Sequence, residues 1–466
     1  MSETSAPHAL AALAAASPDA LAIRDVHGDL TRAELVAQAA RLAQHLLENG
    51  VTEGDLVTMA LPSDRSMLLA AIACWWIGAT PNPVSPKMPP AELEATVEVA
   101  KPALVLTSLP DVTDGKEAPL TDVVSRSWKA PVSGGSTGRP KVIVAATPAV
   151  VEQVTAMAPI IRISADDVTL ITAPLNHNAP FLFSSITLLL GGSVVLAGRF
   201  DAEMTLQLIR DNAITWLYVV PTMMSRISKL ETRGSYDVSS VRTAFHMAAP
   251  CPVWVKRDWI EWLGPDAVWE LYAGTEAQAV TFISGAEWLE HPGSVGRCLV
   301  GEMEIRDPSG AVLPAGEVGE VWMRNPEQTY TYLGAEAKTA DGGWESLGDL
   351  GSFDADGYLY LSDRLADMVL VGGANVYPAE VEAVLDEHPQ VLSSVVIGLP
   401  DDDLGNRLHA LVQLGADLSD DDLRAWCRER LSPYKVPKTW ERSDVPLRDE
   451  AAKVRRSQLR TERSSS

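Results

Sequence analysis

Val132-Ser133-Gly134-Gly135-Ser136-Thr137-Gly138-Arg139-Pro140-Lys141 is the stretch on which the reading turns. Three glycines let the main chain approach a polyanion closely, three hydroxyls donate hydrogen bonds, and Lys141 adds a positive charge. Physically this is a phosphate cradle. It is not a Walker A loop, which needs a lysine followed by Ser or Thr after the last glycine; here Lys141 precedes Val142. Composition alone leaves a plain Gly/Ser surface loop equally open.

Outward from the loop, the chain alternates helix and strand patterns. Thr31 is placed to cap a helix whose apolar residues recur at helical spacing over 36–47. A short apolar strand follows at 55–60. Ser63 is expected to cap the next helix, which runs to Trp76 before Gly78 and Pro81 end it. The rhythm continues after the loop, with strands at 168–172, 193–196 and 216–220 and helices at 181–190 and 202–209. This order predicts an α/β architecture with largely parallel sheets. After residue 290 the texture changes to short strands between Gly/Asp turns (302–306, 319–324, 358–361), the pattern of an antiparallel, barrel-like part. From about residue 366 a smaller unit is expected: strand 368–371, helix 378–387 with Pro378 at its first position, strands 394–397 and 409–414, and a helix from 420. The boundary falls near 363–367.

Composition limits the function. The chain has 466 residues, of which 46% are apolar and 21% charged, with a net charge of −24. That is enough for several domains with large cores and excludes a disordered or fibrous chain. So acidic a protein repels nucleic acid and anionic membranes, so neither is an expected partner. Cys74, Cys251, Cys298 and Cys427 lie far apart with no metal-ligand spacing, which reads as a reduced, cytosolic protein. The first twenty residues lack a basic start before an apolar run and make no secretory signal. The longest apolar run, 67–79, is shorter than the roughly twenty residues a membrane span needs.

Further blocks follow the loop. They are Pro174-Leu175-Asn176-His177, Ala248-Ala249-Pro250, Tyr272-Ala273-Gly274-Thr275-Glu276, Gly343-Trp344-Glu345-Ser346-Leu347-Gly348-Asp349, Ser362-Asp363-Arg364, Gly372-Gly373-Ala374-Asn375-Val376-Tyr377-Pro378, and Lys453 in Ala452-Lys453-Val454. Alone, each has a bland reading: a core tyrosine, a turn aspartate, a surface arginine, a solvated tail lysine. In this order and spacing, from about residue 20 to 460, they resemble the adenylate-forming superfamily of acyl-CoA synthetases, peptide-synthetase adenylation domains and luciferases. Within it the texture is most similar to bile-acid and fatty-acid CoA ligases. Gly134, Ala273, Leu347 and Ala452 depart from the usual pattern.

The resemblance implies a large N-terminal AMP-binding domain (1–363), built of two αβ-sandwich subdomains and a distorted β-barrel, and a small mobile α+β lid domain (364–466). It implies ATP and Mg²⁺ as cofactors, a small-molecule acid as substrate and CoA as second substrate. By the same resemblance Ser133, Gly134, Gly135, Ser136, Thr137, Gly138 and Lys141 cradle the phosphates. Ala248, Ala249, Pro250, Ala273 and Gly274 border the nucleotide, Tyr272 stacks on adenine, and Asp349 and Arg364 hold the ribose. Thr275 touches the α-phosphate and Glu276, with Thr137, holds the metal. Asn176, His177, Val220, Met247 and Gln278 border the acid pocket, with His177 also a catalytic candidate. Gly372 and Gly373 form the CoA tunnel, Ala366 is the hinge, and Lys453 is the catalytic lysine. The expected reaction is acid activation through acyl-AMP and transfer to CoA. The alternative hands the activated group to an amine, as an amide synthetase or a diazotase activating nitrite.

Overall fold

The computed structural model describes residues 3–134, 140–401, 404–449 and 453–464. Gly135, Ser136, Thr137 and Gly138 of the loop, and Ala452, lie outside the described residues.

A nine-stranded sheet organises the larger part of the chain. Its six central strands run parallel, in the order Val268–Ala273, Thr243–His246, Trp216–Val219, Val168–Ile171, Ser193–Leu196 and Leu21–Asp25. Antiparallel strands finish both edges. The central strands are nearly continuous apolar runs because helices cover both faces, as parallel sheets require. Phe183, Trp216, Tyr218 and Phe245 interlock on one face, with ring centroids 4.9–5.6 Å apart. Phe181 is buried against Trp75 and Trp128, so both phenylalanines of the helix Asn178–Leu190 serve packing.

A second parallel sheet of three strands, Thr80–Pro83, Leu56–Met59 and Leu104–Leu106, packs beside it. The antiparallel texture after residue 290 forms a five-stranded sheet that includes Gly319–Arg324, Trp344–Phe353 and Leu359–Arg364. The strand Tyr330–Leu333 leaves that region and pairs with Pro140–Ala145, which in turn pairs with Val132–Gly134. From residue 369 a separate apolar core gathers Val376, Val381, Leu385, Val396 and Leu423 around the hairpin Val391–Asp401/Gly405–Leu414.

Local capping follows the chemistry of each helix start. Thr31 makes a reciprocal capping box with Glu34, as expected. Ser63 does not cap its helix. Asp64 does, accepting from the Ser66 N–H, because the helix begins at Arg65; Ser63 Oγ instead accepts from the Leu175 N–H at 3.1 Å. The helix expected from 181 begins three residues earlier, at Asn178, since Pro180 fits the first turn without an N–H to satisfy. Among the described residues no helix is long and apolar enough to cross a membrane. The four cysteines are free thiols; burial pushes that of Cys427 up to about 12.

Candidate active site

The parallel strands of the large sheet release four loops at their C-terminal ends, the edge where open α/β sheets bind ligands. Val168–Ile171 leads to Asn176-His177, and Trp216–Val219 ends at Val220. Thr243–His246 leads into Met247-Ala248-Ala249-Pro250, and Val268–Ala273 into Gly274-Thr275-Glu276. Residues up to 100 positions apart thus meet at one edge of the sheet.

Two polar clusters face this crevice. In the first, Glu276 is buried and its Oε1 accepts from Lys141 Nζ at 3.0 Å and from the Tyr332 hydroxyl at 2.5 Å. Lys141 also donates to the Tyr332 oxygen at 3.0 Å and lies 4.4 Å over that ring. The register makes this triad: Tyr332 sits opposite Ile143, two residues from Lys141, and Ser133 sits opposite Lys141. Burial and the Glu276 carboxylate both raise the Tyr332 phenol, so it stays a donor. A methyl on Gly274 would come within 2.9 Å of Glu276 Oε2, so the glycine leaves that oxygen room.

In the second cluster the Tyr272 hydroxyl donates to Asp349 Oδ2 at 2.6 Å, while Arg364 Nε donates to Asp349 Oδ1 at 3.2 Å. Asp349 and Arg364 are direct partners in adjacent antiparallel strands, so the backbone register brings them together. Desolvation, then the Asp349 charge, holds the Tyr272 phenol well above its ordinary value. The Gln278 amide donates to Glu345 at 2.9 Å, and Tyr330 donates to the same carboxylate oxygen at 2.7 Å.

Lys453 reaches the crevice from the smaller core. Its main chain is pinned to Asp449 by two bonds, from the Lys453 N–H to Oδ1 (2.8 Å) and from the Asp449 N–H to the Lys453 carbonyl (2.9 Å). Lys453 is exposed. Desolvation holds its ammonium below the ordinary lysine value; Arg364 and Lys141 push the same way, while Asp449 and Glu276 oppose them. Two cationic side chains, Lys229 and Arg455, bridge the larger and smaller parts. Lys229 donates to the carbonyls of Asp386, Val391 and His388 at 3.0, 2.7 and 3.4 Å, and Arg455 pairs with Glu92 at 3.2 Å.

The other expected site residues fall as follows. His177 is the N-cap residue of Asn178–Leu190, and Asn176 is half-buried just before it. Val220 is fully buried, and Met247 and Thr275 are half-buried at the crevice loops. Ala248 adopts φ +80°, a left-handed conformation costly for a side chain, which bends this loop over the strand ends. Gly372 and Gly373 turn the hairpin Val369–Val371/Ala374–Val376 with φ +56° and +84°, and the Gly372 N–H is bonded to Leu404 of the same core. Ala366 is exposed, its carbonyl held by Arg460 at 3.1 Å. Sequence reasoning missed Tyr332, Tyr330, Glu345 and Lys129. The i, i+2 spacing of Tyr330 and Tyr332, which puts both on one face of a strand, was the available signal.

The Mg²⁺ that the resemblance implies has a fitting donor in Glu276. One carboxylate, bonded through Oε1 to Lys141 and Tyr332, suits a cation that takes one or two carboxylates plus substrate phosphates.

Comparisons with known proteins point the same way. The pattern of the AMP-binding enzyme family matches residues 10–133 and 130–333, and that of the AMP-binding enzyme C-terminal domain matches 380–448. A 2-succinylbenzoate–CoA ligase of Bacillus licheniformis is 31% identical, over 97% of this chain and 99% of the relative. A feruloyl-CoA synthase of an Amycolatopsis species is 32% identical, over 95% and 96%. The o-succinylbenzoate CoA synthetase of Bacillus subtilis, in complex with its acyl-adenylate intermediate, superposes with a TM-score of 0.85 at 26% identity, covering 98% of both chains. That enzyme is also known with ATP and magnesium bound.

Proposed function

Since the chain belongs to the AMP-binding enzyme family, we propose that it is an ATP-dependent ligase that activates a carboxylic acid as acyl-AMP and transfers it to CoA, releasing pyrophosphate and AMP. The observation that carries this reading is the Lys141–Glu276–Tyr332 cluster beside the C-terminal edge of the large parallel sheet, a cation and a buried carboxylate held 3.0 Å apart. Relatives named as CoA ligases over nearly the whole length support CoA as acceptor.

In this reading the chain divides at 363/364. Tyr272 stacks on adenine with Ala273, Gly274 and the Ala248-Ala249-Pro250 loop around it, and Asp349 and Arg364 take the ribose hydroxyls. A carboxylate suits two hydroxyls because it only accepts. Ser133, Gly134 and Lys141, with Gly135, Ser136, Thr137 and Gly138, take the phosphates. Lys141 exchanges its Glu276 contact for a phosphate oxygen, and Glu276, with Thr137, is then free for Mg²⁺, which when bound supplies further neutralising charge. The acid carboxylate approaches the α-phosphorus in line, guided by Asn176, His177, Val220, Met247 and Gln278. Two anions meet there, so position and electrostatics supply most of the acceleration. Lys453, a compact charge on a flexible stem, bridges the attacking oxygen and the α-phosphate while Thr275 holds the latter. Bending at Ala366 withdraws Lys453 and brings Gly372 and Gly373 to the thiol's path.

The test is ATP–pyrophosphate exchange with benzoate, ferulate, 2-succinylbenzoate, hexanoate, octanoate and nitrite, followed by AMP release with CoA or an arylamine added. Exchange with a carboxylic acid and AMP release that needs CoA is the expected result. Exchange with no acid overturns the reading, and release driven by the amine alone moves it to amide synthesis or, with nitrite, diazotisation.

A further inference from the structure

Lys129 stands just before the phosphate loop, in Trp128-Lys129-Ala130-Pro131-Val132. It is 8% exposed. Its main chain is fixed, the carbonyl accepting from Ser127 Oγ at 2.8 Å and from the Ala145 N–H at 3.1 Å. Its ammonium donates to the side-chain oxygen of Asn178 and lies 4.7 Å over the Trp128 ring. No carboxylate among the described residues lies within ion-pair distance of it. The one charge among them that reaches it is Glu276, in the first cluster of the crevice. Burial without a counter-ion pushes this lysine down to about 7.

A buried cation with three donors, one neutral acceptor and no anion is an expensive arrangement. Buried charges are kept where something pairs with them, and here the described protein supplies nothing that does. Asn178 is also the first residue of the thirteen-residue helix Asn178–Leu190, whose positive end adds to the field. Lys141 is held by Glu276 and Tyr332, while Lys129 points at the start of the helix that follows Asn176-His177.

We propose that Lys129 and Asn178 form an oxyanion subsite that binds the carboxylate of the acid before it is adenylated. The proposal rests on the reading above and adds a substrate contact to it. The acid enters as an anion, the ammonium supplies the missing counter-charge, and the Asn178 amide donates a second hydrogen bond. Uncharged acid derivatives then bind poorly, whatever their remaining shape.

The experiment uses sodium formate, the smallest carboxylate, titrated into the full chain by calorimetry at about pH 6.5. The comparison is wild type, Lys129→Met, Lys129→Arg and Asn178→Ala, with ATP titrated separately. Wild type should bind formate saturably and Lys129→Met at least about tenfold more weakly, a loss of one strong charged contact. Lys129→Arg should retain most of the affinity, and ATP affinity should stay within about twofold throughout. For any acid active in exchange, Lys129→Met should raise its KM by a similar factor with a smaller effect on kcat. Formate affinity unchanged by Lys129→Met, or no saturable binding to wild type, overturns the subsite. A loss confined to ATP assigns Lys129 to a phosphate and overturns it too. Because formate binding is read without turnover, it decides the subsite even if no acid supports exchange, the result that would defeat the reaction itself.

Discussion

Lys129→Met tests the energetics of the buried cation directly. The folded protein holds the Lys129 ammonium at about 7, against 10.5 for an ordinary lysine. Between those values the unfolded chain carries a proton that the folded chain has lost, so stability rises with pH through this window and falls as pH drops toward 7. Each pH unit is worth about 1.4 kcal/mol, and the full shift about 4 to 5 kcal/mol. Methionine has nearly the same length and no charge. It forfeits the hydrogen bond to Asn178, a loss of about 1 kcal/mol that does not vary with pH. The slope is therefore the quantity to measure. Urea unfolding of both proteins, followed by tryptophan fluorescence at about pH 7.5 and about pH 9.5, should show wild type gaining about 2 to 3 kcal/mol on the variant as pH rises. Near neutral pH the variant should be the more stable of the two. Curves that stay parallel across these two pH values would refute the claim that an uncompensated charge is buried at this position.

The site and the core allow two further tests. Tyr272→Phe keeps the ring and removes the 2.6 Å bond to Asp349. A bond to a charged group contributes about 1.5 kcal/mol or more, so KM for ATP should rise about tenfold in the exchange assay with kcat little changed; an unaltered KM would separate Asp349 from nucleotide binding. Lys256 and Glu270 form a fully enclosed ion pair at 2.5 Å, with His246 beside them. Lys256→Met removes the ammonium from the buried carboxylate, leaving only His246 near it, and should cost about 3 to 5 kcal/mol in urea unfolding, most of it recovered in Lys256→Met/Glu270→Leu; a double variant no better than the single would contradict this.

What could be read in the chain depended on how local each feature is. The strands Ser193–Leu196, Glu302–Arg306 and Gly319–Arg324 lie where alternation and turn residues place them, because those signals act over a few residues. The Thr31 cap was legible for the same reason. Ser63 was misread because Ser and Asp stand side by side and only the position of the first helical turn decides between them. The loop blocks were found by type and order, and three of them, at Pro174–His177, Ala248–Pro250 and Tyr272–Glu276, do leave the C-terminal edge of one parallel sheet. The partners of those blocks were not legible. Tyr332 meets Lys141 and Glu276 only because Tyr330–Leu333 crosses to pair with Pro140–Ala145, nearly 190 positions away. Lys129 carried a local signal, a lone lysine in an apolar run, but its value lies in the absence of a counter-charge among the described residues, which only the packed structure reveals.

The most direct measurement compares the two half-reactions in Lys453→Ala. With an active acid, the variant should lose ATP–pyrophosphate exchange by several orders of magnitude, because the charge that joins the attacking oxygen to the α-phosphate is gone. Thioester formation from supplied acyl-AMP and CoA should continue at close to the wild-type rate. Equal loss of both half-reactions, or exchange that survives the substitution, would contradict the account.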